Sequence, residues 1–243
     1  MKGTFMLFIL LWLVACKKPA DRACLKKSGN YTSFTISLND FNRLHLKEHL
    51  RYVLVPDTVS KVIVKGGSNL IGFIEATQDG SLLTLSNKNR CHFLRNYEYP
   101  EVEIHYSTLI NILYEGTETL TNRDTLKTNY LVLTLKDGAG SVDLCIDAID
   151  VKLDNTHGWG KALLRGKTDF CSVNLMGDGS FDGRELSVST RFNMISASSL
   201  DQYLSAPNIP LYAQIKGIGN VYYFGTPSNI YFSRYGSGNL IPQ

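Results

Sequence analysis

A Gly-x-Gly pair returns along the C-terminal half of this chain at a nearly fixed interval, and no other feature constrains its fold as tightly. The pairs are Gly138 and Gly140, Gly158 and Gly160, Gly177 and Gly179, Gly217 and Gly219, and Gly236 and Gly238. Their first glycines are spaced 20, 19, 40 and 19 residues apart. The long gap is two periods, and its midpoint falls near Ser196-Ala197-Ser198, where small residues replace the glycines. Tyr114-Glu115-Gly116-Thr117 lies about one period before Gly138. Fixed-period self-similarity marks stacked units that bury a continuous core only together.

The flanks of each turn alternate. Leu131, Leu133 and Leu135 point one way and Val132 and Thr134 the other; Val142, Leu144 and Ile146 alternate with Asp143, Cys145 and Asp147. A period of two means strands. Equivalent inward positions recur as Val151 and Leu153, Ala162 and Leu164, Val173 and Leu175 with Phe181, and Val221 and Tyr223. A meander or sandwich with evenly spaced hairpins is the alternative, but a 20-residue coil is better explained by an all-β, single-domain, right-handed parallel β-helix. Roughly ten coils stacked about 4.8 Å apart would make a rod about 50 Å long. Glycine is expected at the corners to supply positive φ.

The N-terminal third is less regular but still strand-like, in 34–38, 43–46, 52–55, 61–64, 82–85 and 102–106. It reads as the cap that an open-ended solenoid needs against edge-to-edge association. The composition agrees: 44% apolar and 19% charged residues can bury a core, and 13 Tyr, 11 Phe and 20 Gly favour strands and tight turns over helices. The formal charge of +3 gives no electrostatic footprint for nucleic acid.

The first 15 residues read as an address. Lys2 is a short positive n-region, and Phe5 to Val14 form an apolar run too short for a stable membrane-spanning helix. The run ends Leu13-Val14-Ala15-Cys16, which looks like a lipobox whose Cys16 sulfur takes a diacylglyceryl group. Each buried methylene contributes about 0.8 kcal/mol, so two or three acyl chains anchor essentially permanently. Residues 16–30 are then the lipidated cysteine and a polar tether, and 31–243 the β-helix. Lys17 rather than Asp after the cysteine favours the outer membrane. The lack of an acidic run favours its periplasmic face over the cell surface.

The order of motifs resembles the putative auto-transporter adhesin, head GIN domain family of bacterial lipoproteins. It runs from Asp40-Phe41-Asn42-Arg43-Leu44 through Val62-Ile63-Val64-Lys65-Gly66 and Val102-Glu103-Ile104. The Gly-x-Gly coils follow, then Val221-Tyr222-Tyr223-Phe224-Gly225-Thr226-Pro227 and a last Gly236-Ser237-Gly238. The resemblance spans nearly all of residues 34–240. It implies a right-handed β-helix like that of pectin lyases but without a catalytic set, and a role in adhesion. Trp159 and Ile218 depart from it, inside turns that usually carry small or polar residues.

Few residues point to chemistry. His45 and His49 have an i, i+4 spacing that joins two imidazoles only on a helix, and Leu44 and Leu46 place them in a strand. A lyase on this fold needs acids stacked on consecutive coils. The middle turn residues are Ala139, Trp159, Asp178, Ile218 and Ser237. Asp137, Asp143, Asp147, Asp150 and Asp154 read as outward, solvated positions. No cofactor or metal is expected. Cys145 falls on the outward phase and Cys171 on the inward phase, so both are expected free; Cys24 and Cys91 could pair in an oxidising compartment.

Trp159 beside His157 is a candidate binding surface for a glycan or protein. So are Tyr222 and Tyr235, within the cluster Tyr222, Tyr223, Phe224, Tyr231, Phe232 and Tyr235. For the cluster, stacking inside the solenoid and at its C-terminal end is the expected arrangement. The reading that results is a lipid-anchored, non-enzymatic envelope protein for adhesion or envelope interaction. A polysaccharide lyase or hydrolase on the same fold and a self-associating periplasmic scaffold are the alternatives.

Overall fold

The computed structural model describes residues 27–89 and 98–243. Cys16, Cys24, Cys91 and His92, and with them the signal sequence and most of the tether, lie outside the described residues.

The regular elements of the described residues are all strands apart from one 3-10 turn, and the stacked parallel strands form a solenoid of about seven turns in one domain. The first coil is β2 (Arg43–Leu46) and β3 (Arg51–Pro56), and the second is β8 (Asn111–Tyr114) and β9 (Thr119–Asn122). Next come β10 (Leu126–Leu135), β11 (Ser141–Asn155), β12 (Lys161–Leu175), β13 (Ser180–Gly183) and β14 (Leu186–Ser196). β15 (Gln202–Ser205), β16 (Pro210–Ile215), β17 (Val221–Phe224), β18 (Asn229–Arg234) and β19 (Leu240–Pro242) complete it.

Three walls result. The first stacks β2, β8, the ends of β10, β11, β12 and β14, then β16 and β18, all parallel. The second stacks β3, β9, the beginnings of β11 and β12, then β13, β15, β17 and β19, again parallel. A short third wall joins Leu126, Ile146, Gly166 and Leu186 in register. The 15-residue β11 and β12 bend from one wall to the next without leaving the ladder.

The interior follows from the alternation. Leu131, Val151, Cys171, Phe192 and Leu211 occupy one register column, and Leu133, Leu153, Val173, Met194 and Ala213 the next; all are buried. Burying one such large side chain contributes about 1.5–3 kcal/mol. Tyr52 and Tyr114 meet edge to face inside the first two coils, centroids 6.5 Å apart.

There are fewer coils than the ten that chain length predicts, because the N-terminal third is not all coil. Between β3 and β8 the chain makes an antiparallel excursion. β4 (Lys61–Gly67) lies between β1 (Tyr31–Ser37) and β7 (Glu101–Tyr106), antiparallel to both. β5 (Ile74–Asp79) and β6 (Leu82–Asn87) form a hairpin. β7 and β6 then pair parallel with β3 and β2, so this third closes the first two walls at the N-terminal end.

The glycines have a different reason from the expected one. Of the ten in Gly-x-Gly pairs, only Gly158 has positive φ, 95°. What they share is close stacking at the corner where the first wall turns into the second. A Cβ at Gly158 would lie 2.5 Å from the Gly138 carbonyl oxygen, and one at Gly179 2.7 Å from that of Gly160. Backbone hydrogen bonds run from coil to coil through the corner, from Trp159 N to Gly138 O at 3.1 Å and from Gly219 N to Ser198 O at 3.1 Å. In the coil where Ser196-Ala197-Ser198 replaces the pair, the Ser198 hydroxyl donates to Gly179 O at 2.7 Å and accepts from Leu200 N at 3.1 Å, so the side chain joins the ladder that glycine leaves clear at the paired corners.

Candidate functional site

Because the inward positions are taken by the core, any site lies on the outer walls, the corners or the ends. The glycine corner carries three of the four residues singled out from sequence. Trp159 is 65% exposed on it, His157 is exposed beside it, and Tyr235 projects from the same corner at the last coil, 72% exposed. Tyr222 is on the outer face of the second wall, stacked on Tyr203 at 5.2 Å. The structure therefore joins His157 and Trp159 but spreads the four over several coils. Between Trp159 and Tyr235 the corner also exposes Met176, Leu200 and Ile218, one apolar side chain per coil.

The aromatic cluster does stack, but on the outside. Tyr212 and Tyr231 are face to face on the outer side of the first wall, with centroids 4.4 Å apart and planes 9° apart. Tyr231, Phe232 and Tyr235 are all exposed. Interior stacking fails because Tyr222 and Tyr231 fall on the outward phase of their strands, and Phe232, on the inward phase, belongs to the last strand of its wall.

Sequence reasoning missed a groove of about 840 Å³ at the bend between the third and first walls. Its apolar floor is Ile110, Tyr130 and Ile149, each 40–49% exposed. Lys127, Asp147, Lys167 and Asp169 line it with the hydroxyls of Thr128, Thr168, Ser187 and Ser189. Register explains the assembly: Lys127, Asp147, Lys167 and Ser187 are successive rungs of one column. The one available signal is the run Ala148-Ile149, where the alternation slips because the strand bends and turns Ile149 outward.

The acids on this surface are engaged. Lys167 Nζ is 3.4 Å from Asp147, Arg165 is 2.6 Å from Asp143, Lys152 is 2.7 Å from Asp154, and Ser189 donates to Asp169 at 2.6 Å. Asp137, Asp143, Asp147, Asp150 and Asp154 all face outward, as their phase predicts. Of these, Asp147 stands between Lys127 and Lys167 on successive rungs, so the charges alternate in sign along that column. Such a surface can seat a partner through hydrogen bonds and apolar contact.

A separate polar cluster lies on β7. The Glu103 carboxylate is almost fully buried, takes Lys65 Nζ at 2.6 Å, and pairs with Arg123. Burial pushes its pKa up, but Lys65 and Arg123 outweigh burial and hold it below the usual carboxylate range. Next to it His105 Nδ1 is 2.8 Å from Asp57, whose carboxyl is held well below its ordinary value, first by Lys61 and then by His105. This network ties the antiparallel excursion to the coils. Of the histidine pair, His45 Nε2 bonds Glu115 at 2.7 Å, while His49 sits in the following turn with φ 66° and stacks on Tyr99. Among the described residues no cluster of three metal-ligating side chains forms. Cys145 is half-buried, and Cys171 is buried with its thiol pushed up by desolvation; both are free.

Solved structures share this architecture. A putative adhesin from Bacteroides fragilis is 19% identical, with a TM-score of 0.78 over 88% of this chain and 97% of that one. A putative adhesin from Parabacteroides distasonis is 17% identical, with a TM-score of 0.63 over 88% and 98%. A putative lipid binding protein from the same species is also 17% identical, with a TM-score of 0.58 over 88% and 97%. At these identities the likeness is one of fold. No curated protein matches the chain. The sequence model of the putative auto-transporter adhesin, head GIN domain matches residues 40–227, from the start of the first coil to the loop before β18, and the chain belongs to that family.

Proposed function

We propose that this chain is a lipid-anchored cell-envelope protein with a non-enzymatic binding role in adhesion or envelope interaction, and that its partner, a glycan or a protein, seats in the groove at the bend between the third and first walls. The observation that carries the reading is that groove: an exposed apolar floor of Ile110, Tyr130 and Ile149, edged by hydroxyls and paired charges, held on strands that stack rung on rung. An exposed apolar surface on a rigid scaffold is the usual mark of an interaction site. The names of the family and of its solved relatives point to binding and to the cell envelope. Among the described residues no helix is long and apolar enough to cross a membrane. Anchoring is assigned to lipid on Cys16, on the strength of Leu13-Val14-Ala15-Cys16, and the periplasmic face of the outer membrane to the residues that follow.

Binding is tested by titrating acidic and neutral envelope polysaccharides against the chain and against Ile149→Asp. Saturable binding that weakens tenfold or more in the variant, with no release of new sugar ends, is the expected result. Bond cleavage that disappears when Asp147 or Asp169 is replaced would establish the lyase or hydrolase instead. Detergent phase partitioning of the chain and of Cys16→Ser in a bacterial host tests the anchor. Only the parent chain is expected in the detergent phase.

A further inference from the structure

Among the described residues, the C-terminal end of the solenoid is open. In β16 the inward positions Leu211 and Ala213 are 0% and 4% exposed, whereas their partners one strand further, Ile230 and Phe232 in β18, are 44% and 42% exposed. All six residues of β18 are exposed. It pairs with β16 on one side, and among the described residues no strand pairs with its other side. The Tyr212–Tyr231 stack ends there too, so Tyr231 has a ring neighbour on one face only. An edge strand of this kind is ordinarily guarded by lysine, proline or a bulge. β18 reads Asn-Ile-Tyr-Phe-Ser-Arg, and residues 201–243 contain three charged side chains, Asp201, Lys216 and Arg234.

We infer that this end is a homodimer interface, in which β18 pairs antiparallel with β18 of a second copy across a twofold axis through Tyr231. The register follows from the pleat. Directly opposed residues in an antiparallel pair share a face, so a twofold that keeps inward positions inward must pass through a residue rather than between two. Centred on Tyr231, it sets Ile230 opposite Phe232 of the second copy, twice, and joins the two cores on the apolar side. On the outer side it brings the two Tyr231 rings together. The rings of Tyr212 and Tyr231 are already 4.4 Å apart, close to the 4.7–4.9 Å spacing of paired strands, so the stack continues across the axis without a change of geometry.

Charge favours a second copy as the occupant. Two identical ends repel when they carry net charge. β18 has one charged residue, Arg234, at its end and hydrogen-bonded to Asn239 at 2.8 Å; the axis keeps the two copies of it at opposite ends of the paired strands. At the N-terminal end the outermost strand of the same wall is β5, with Glu75 and Asp79. A head-to-tail contact would set that acidic strand against apolar β18. The interface lies away from the groove, so loss of dimerisation with groove binding intact would overturn this inference alone.

The test is cysteine cross-linking of the full chain with Cys16, Cys24, Cys91 and Cys145 replaced by serine. Tyr231→Cys is expected to give a disulfide-linked dimer under mild oxidation, because only at the axis does a residue face its own copy. Tyr212→Cys, one rung inward in the same column, is expected to stay monomeric on the same gel. Light scattering of the chain without an added cysteine is expected to give twice the monomer mass, and Ile230→Asp with Phe232→Asp half of that. No cross-link in Tyr231→Cys, equal cross-linking at both positions, or a ladder of higher oligomers overturns the twofold. If the double aspartate variant does not fold, the two cysteine variants still decide.

Discussion

Gly217 shows how a single residue carries the solenoid around its corner. A Cβ there would run into the carbonyl oxygen of Ser198 on the preceding coil. That oxygen is fixed, because it accepts the hydrogen bond from Gly219 N. Alanine can be accommodated only if the coils separate, and overpacking of this kind costs about 1–3 kcal/mol. Gly217→Ala is therefore expected to lower Tm by several degrees, at about 2–4 °C per kcal/mol for a chain of this size. Gly72→Ala, where a Cβ meets nothing within 4 Å, is expected to leave Tm within about 1–2 °C, given the small effect of surface substitutions. Thermal melts of the two variants check the comparison. Equal losses would show that coil contact does not select glycine at the corner.

At the scale of the element, β7 joins the antiparallel excursion to the stack, and its outward face does so with charge. Glu103 holds Lys65 of β4 and Arg123, which follows β9, while His105 holds Asp57, which follows β3. Both carboxyls titrate below their ordinary range in the folded chain. A group whose folded pKa is depressed contributes stability that is fully present above its unfolded pKa, about 4 for these carboxyls, and lost as pH falls toward the folded value. The chain is thus expected to lose Tm progressively below about pH 4. Glu103→Gln combined with Asp57→Asn should flatten that acid limb while lowering Tm at pH 7. Melts between pH 7 and pH 3 measure both effects, and parallel acid limbs would remove the network from the acid response. Lys61, Lys65, Arg123 and His105 are the basic groups facing these carboxyls, and of them Lys65 keeps a second acid, Glu101, 3.6 Å from its Nζ.

For the whole molecule, stability is a sum of coils and the contacts between neighbours. Leu153 is fully buried in the middle of the stack, with Leu133 and Val173 on adjacent rungs. Leu153→Ala is expected to cost about 2–5 kcal/mol, and Leu240→Ala, half-buried on the last strand of its wall, distinctly less. Denaturant titrations of the two check this. Equal costs would mean that the terminal coil is as well packed as the centre.

How much of this was legible beforehand depends on what each residue can know of its neighbours. The inward series of Leu131, Leu133 and Leu135 and of Val142, Leu144 and Ile146 was readable, because alternation is a local property and the pleat turns it directly into a face. The same logic placed Cys171 inside and Cys145 outside, and the 20-residue register announced a stack. The chain alone thus determined the all-β class, the strand phase and the family to which it belongs. Which strand lies beside which was decided only by tertiary structure. Val62 and Val64 alternate in β4 as Leu131 and Leu133 do in β10, yet β4 runs antiparallel to its neighbours and adds no full coil. The groove and the open end depend on such neighbours as well: Lys127, Asp147 and Lys167 are about 20 residues apart and meet only through stacking, and Ile230 and Phe232 are exposed because, among the described residues, no rung follows theirs. Periodicity specifies the direction of a side chain, but the exposure of that side chain depends on the next coil.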